Sequence, residues 1–301
     1  MQETLLKLVP IFLFFGLGIL LKKLKFAEPA QGNFILKFVF FVTLPALILL
    51  TLSKTPLGPE QLFLPFINIA VNVSCMLCTL LVTKFMTIER KTLGAVLVNT
   101  MIVNNAFMFP FILAGFGGEG FALSVLFDFG NAIMTATFTY ALAFRYGGEE
   151  HTSRTMIIKV VKSPLFWALV LAVILSIANI PLPMIAVSFL EPLGRMTAPL
   201  ILIALGIFFA PQLLHWKMVT VTVLIRMVFG LLAGMGIATL LGLEGSTFAI
   251  VSLCAAAPIG FNALTFASLA KLDVEYTSSA VSVSILIGMV YIPVLMYFFR
   301  L

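Results

Sequence analysis

The sequence predicts an all-α membrane protein: ten transmembrane helices in two inverted five-helix repeats, with the fourth and ninth helices broken. Three observations carry this reading: an apolar excess in composition, an alternation of basic residues between successive loops, and a proline register that recurs along the chain. Of 301 residues, 61% are hydrophobic and only 10% charged, whereas a soluble domain carries about a quarter charged residues. The surplus apolar surface has to face lipid. No low-complexity tract or charge block interrupts the chain, so one integral membrane domain is expected. The net charge of +6 is spread thinly between apolar runs, which argues for membrane topology and against a nucleic-acid partner.

A membrane helix needs about 20 mostly apolar residues. Turn and charge signals mark ten such runs, near 4–21, 33–52, 61–83, 92–114, 119–144, 163–180, 187–209, 218–241, 246–270 and 274–299. The first reads as a retained span and not a cleaved leader. Only Lys7 against Glu3 precedes its core, no small-residue cleavage site follows Leu21, and Lys22, Lys23 and Lys25 come after it. When loops are numbered by the preceding helix, the odd ones hold Lys84, Arg90, Lys91, Arg145, Arg154, Lys159, Lys162, Lys217 and Lys271 beside those three. That is twelve of the eighteen basic residues. The even loops hold Lys54 with Glu60, Glu119 and Glu244. Odd loops are therefore expected in the cytoplasm and both termini outside, in a multi-pass plasma-membrane (bacterial inner-membrane) protein.

Prolines mark the repeat because they fix backbone geometry. At an offset of 154, Pro10 matches Pro164, Pro29 matches Pro183 and Pro45 matches Pro199, and Glu119 falls opposite Asp273. Thr43-Leu44-Pro45-Ala46-Leu47-Ile48-Leu49 also aligns with Thr197-Ala198-Pro199-Leu200-Ile201-Leu202-Ile203. The repeats are placed at 1–147 and 155–301, with Pro45 and Pro199 as equivalent breaks or hinges. Five spans is an odd number, so the second repeat inserts upside down. That plan is typical of secondary transporters, whose sites lie near the midplane on interrupted helices.

The fourth span, through Asn104-Asn105-Ala106-Phe107-Met108-Phe109-Pro110, and the ninth, through Ala257-Pro258-Ile259-Gly260-Phe261-Asn262, are the least regular. Proline removes a donor, and glycine and asparagine tolerate non-helical angles. Within hydrocarbon such a break is tolerated only against protein or a wet cavity. Half-helix N-termini there offer free N–H groups suited to a carboxylate. Asn104, Asn105, Pro110, Pro258, Gly260 and Asn262 are accordingly the candidate substrate-binding residues.

The string Asn99-Thr100 to Pro110 with Ala114-Gly115-Phe116-Gly117 resembles the fourth-helix motif of the auxin efflux carrier family. Pro258 and Asn262, then Ala267 and Leu272-Asp273, are similar to its ninth-helix motif, and Phe41-Val42-Thr43-Leu44-Pro45-Ala46 resembles its second helix. The resemblance implies that the broken helices 4 and 9 cross and form an anion site, with Asn104 or Asn105, Pro110, Pro258 and Asn262 as crossover residues. Val103-Asn104-Asn105 stands where the family often has glycine. The short loop at Arg145–Lys162 is similar to that of prokaryotic permeases, a group associated with small organic acids such as malate or malonate. The function so implied is secondary active transport of a small organic anion, or an auxin-like acid, by alternating access, an elevator-type motion being one form of it. A homodimer is compatible with this reading.

Buried charges inside spans default to functional hypotheses. Arg226 in the eighth span is a candidate to hold the substrate carboxylate or a counter-acid. Asp128 in the fifth is a candidate coupling site for a proton or sodium, with a static bond to Asn131 as the alternative. Glu191 and Arg195 form an ordinary helical pair. His151 and His215 fall in loops, Cys75-x-x-Cys78 reads as packing, and Gly115 to Gly120 reads as a turn; no cofactor or metal is expected. A sodium symporter of the bile-acid type shares the inverted plan, but neither break contains an acid. A membrane sensor or channel lacks an output domain or a long polar stripe here. Intramembrane-enzyme motifs are absent from the sequence.

Overall fold

The computed structural model describes residues 2–148, 154–209 and 215–299. The main helices are α1 (Gln2–Lys23), α2 (Pro29–Leu52), α3 (Leu64–Thr83), α4 (Arg90–Met101), α5 (Asn105–Gly147) and α6 (Pro164–Ile177). They continue as α7 (Met184–Phe208), α8 (Trp216–Leu240), α9 (Gly245–Ala255), α10 (Asn262–Leu269) and α11 (Val274–Phe298). Six of them, α2, α3, α5, α7, α8 and α11, are long and apolar enough to cross a membrane. Among the described residues no strand forms, and Val103 and Ile259 make an isolated antiparallel bridge.

The irregular spans are irregular for the reasons their residues suggest. The expected fourth span divides at 102–104, between α4 and α5, and the ninth divides at 256–261, between α9 and α10. The second part of the fourth span runs into the fifth with a single sharp turn, at Gly117 (φ 67°, ψ −158°). Only glycine adopts that angle cheaply, so the glycine-rich stretch is the turn between an arm at 105–116 and an arm at 118–147. Pro45 follows a π-helical turn at Val39–Thr43, and Pro199 follows the turn residue Met196. Both prolines open a new helical stretch, where a missing N–H forfeits little.

The described residues form two compact units. The first contains α1, α2, α6, α7 and residues 106–125 of α5. In it α1 lies along the second half of α7, while α2 packs on α6 and on both halves of α7. The α1–α7 approach depends on two glycines. A Cβ on Gly18 would lie 2.2 Å from the Ile203 carbonyl oxygen, and one on Gly206 would lie 2.2 Å from that of Phe15.

The second unit contains α3, α4, the remainder of α5, and α8 to α11. Its interior is made of α4 and α9, which bury every residue of Gly94–Met101 and Ala249–Ala255. Both are apolar around most of their circumference, the pattern of a helix enclosed on all sides.

Replacing Gly18 by valine should force α1 away from α7 and cost about 1–3 kcal/mol. A lowered thermal midpoint of the purified protein in detergent, compared with Gly16→Val, where a Cβ meets nothing within 4 Å, checks this.

Candidate functional site

The two chain breaks of the second unit pair with each other. The Asn104 N–H donates to the Pro258 carbonyl at 2.9 Å, and the Gly260 N–H donates to the Ile102 carbonyl at 2.9 Å. Neighbouring side chains take the groups that this bridge leaves over. The Val103 N–H donates to Asn131 Oδ1 (3.2 Å), and the Val103 carbonyl accepts from Asn131 Nδ2 (3.3 Å). The Ile259 N–H donates to Ser284 Oγ (3.1 Å), and its carbonyl accepts from Asn104 Nδ2 (3.4 Å). Pro258 has no N–H to satisfy. Val103 and Ile259 can thus stay buried without helical bonds, since the N–H and carbonyl of each are paired. Gly260 is needed for the approach: a Cβ there would sit 2.7 Å from Ile102 Cγ2 and 2.9 Å from the Val103 oxygen.

Four helix ends meet this crossing, and charged side chains attend three of them. The last-turn carbonyls of α4 and α9 converge on Arg226, which is fully buried (0% exposed). Nη1 donates to the Thr100 carbonyl (3.0 Å) and to Asn72 Oδ1 (3.3 Å), and Nη2 donates to the Ala255 carbonyl (2.6 Å). A helix C-terminus carries roughly −0.5 elementary charge, so two together offset roughly one guanidinium. This accounts for a buried arginine that no described carboxylate pairs. Arg226 lies in a π-helical turn, Leu224–Phe229, a distortion frequent at functional sites.

At the opposite pole, α5 starts beside Asp128. Asn105, the first residue of α5, donates from Nδ2 to Asp128 Oδ1 (2.7 Å), and Asn131 Nδ2 donates to the same oxygen (2.9 Å). A carboxylate suits a helix N-terminus, which is the positive end of its dipole. The bond to Asn131 read from sequence is present, and it links Asp128 to the bridge residue Val103. The fourth end, the start of α10, has exposed Asn262 as its first residue.

Of the expected site residues, Asn104, Asn105, Pro258 and Gly260 are buried at the crossing, and Arg226 and Asp128 bond to its helix ends. Pro110 does not lie there. It is buried inside the 105–116 arm, five positions beyond Asn105, where its ring breaks no pairing of the bridge. Asn72, Thr100, Asn131 and Ser284 are contributors that the sequence reading did not single out as site residues. Asn68, Asn72, Cys75 and Thr79 are buried along α3 at spacings of four, three and four. That polar stripe in an apolar span was the available signal for Asn72. Cys75 and Cys78 are free thiols, Glu191 and Arg195 pair, His215 is exposed, and His151 lies outside the described residues.

Arg226→Met should strand the Thr100 and Ala255 carbonyls and cost about 3–5 kcal/mol. Arg226→Lys, with a point charge in place of a fork, should recover only part of that. Thermal unfolding of the three proteins in detergent measures both steps.

A family model described as membrane transport protein matches residues 4–296. The chain is also 22% identical over 256 residues, 82% of each protein, to a protein of Methanocaldococcus jannaschii described as an uncharacterized transporter. Matched over nearly its full length, the chain belongs to the membrane transport protein family, the family of the auxin efflux carriers.

Proposed function

We propose that this transporter is a secondary active carrier of small organic anions, working by alternating access from the crossing of the second unit. The observation that carries the reading is the asymmetry of the two helix starts. The start of α5 is already attended by Asp128. The start of α10 has no acidic side chain bonded to it among the described residues, and its first residue, Asn262, is exposed. An approaching carboxylate would meet the positive end of the α10 dipole there. Malate, malonate and similar carboxylates are of the right charge and size class.

Ten spans in two inverted repeats form the architecture of this proposal, with both termini outside the bacterial inner membrane. Two bonded pairs support the repeat. Arg226 bonds to Asn72, 154 residues away, and the Asn104 N–H bonds to the Pro258 carbonyl, which is also 154 positions away by sequence number. Residues equivalent under a two-fold touch each other only where its axis passes, and an inverted-repeat carrier has that axis in the membrane plane through its site.

Counterflow in proteoliposomes, with a panel of small mono- and dicarboxylates, tests the reading. Saturable exchange of at least one is expected. Asn262→Asp sets a negative charge at the start of α10 on an exposed side chain, and should raise KM at least about tenfold, the equivalent of 1.4 kcal/mol. An unchanged KM would remove the anion from this place.

A further inference from the structure

One buried atom at the crossing has no use in the arrangement described so far. Asn105 is 2% exposed, and its amide nitrogen holds Asp128, yet its Oδ1 is enclosed without a hydrogen-bond partner. An unpaired buried acceptor costs about 1–3 kcal/mol, so a position that keeps one invites a second state in which it is paired. Asp128 supplies the means. Among the described residues no basic side chain pairs with it. Its neighbours are the amides of Asn105 and Asn131, with the thiol of Cys254 on α9 close enough to interact electrostatically.

We propose that Asp128 and Asn105 form a proton-binding site built into the crossing. In the state described, ionised Asp128 accepts from both amide nitrogens through Oδ1. When a proton binds, the carboxyl becomes a donor and needs an acceptor. Asn131 cannot supply one without loss, because its Oδ1 already accepts from the Val103 N–H and its Nδ2 also reaches the Val103 carbonyl. Asn105 can. Half a turn of its amide brings the idle Oδ1 to the carboxyl O–H in exchange for the Nδ2 bond, and breaks no bond of the bridge. The covalent bookkeeping is a single proton gained at an Asp128 oxygen and lost again to solvent on the return.

The consequence reaches the bridge directly. Asn105 is the first residue of α5 and follows Asn104, whose N–H and side-chain amide bind the Pro258 and Ile259 carbonyls. Protonation also removes the negative charge from the start of α5, so that the positive end of that helix dipole is no longer offset. A proton would therefore enter with the substrate, or leave against it, through the same crossing. A sodium ion fits less well, since it needs a shell of several oxygen ligands and the side chains here offer one carboxylate and one spare amide oxygen. The use of the site rests on the transporter reading, but its existence does not.

The test uses the wild-type protein and no substrate. A hydrophobic carbodiimide reacts with protonated carboxyl groups in apolar surroundings, and peptide mapping locates the adduct. Labelling of Asp128 that increases as pH falls, and is the same in sodium and choline chloride, is expected. No label at Asp128 at any pH, or protection by sodium at fixed pH, overturns the proposal. In proteoliposomes, wild-type uptake of an exchanged carboxylate should respond to an imposed pH gradient, and Asp128→Asn should lose that response. A variant that retains it also overturns the proposal. Failure of every carboxylate to exchange would instead count against the transporter reading, and the labelling result would still decide the proton site.

Discussion

A backbone removed from its helix inside an apolar interior must find new partners for its polar groups, and the second unit is organised around meeting that demand. The chain leaves the helix twice, at 102–104 and at 256–261, and each interruption supplies bonds that the other lacks. Asn131 and Ser284 take what remains. Neither break would be tolerable alone. Gly260, the buried amides and the enclosure of α4 and α9 all follow from bringing two bare backbones into contact.

The crossing also gathers helix ends, and with them fractional charge. Two C-termini face Arg226 and one N-terminus faces Asp128. The two costliest side chains in the unit are thus set against the dipoles that offset them, instead of against each other. What is left, among the described residues, is one N-terminus of the crossing without a bonded countercharge, at α10. The anion-carrier proposal rests on that vacancy, because a site fully balanced by its own side chains would have little reason to take up an anion.

The first unit follows different physics. Its helices carry few buried polar groups and rely on close approach, with α1 and α7 meeting at glycines. Pro45 and Pro199 sit where a helical stretch begins anew, after a π-turn in α2 and after Met196 in α7. The unit is therefore a packing problem, where the crossing is a hydrogen-bonding one.

Much of this was legible in the residues. Apolar runs marked the helices, because lipid-facing and core-facing surfaces both exclude charge. Pro258, Gly260 and the asparagines at 104 and 105 marked the breaks, because local backbone chemistry is written in residue type. The sequence by itself also picked out Arg226 and Asp128 as costly side chains. Their partners came only from the tertiary structure. A guanidinium held by carbonyls of α4 and α9, and an amide clamp from Asn131 to Val103, are contacts to backbone, and every residue has the same backbone whatever its name. Pro110 shows the converse, since a proline signals a break wherever it stands. Only the fold decided that the chain stays helical through Pro110 and that the break at 102–104 pairs with the one at 256–261.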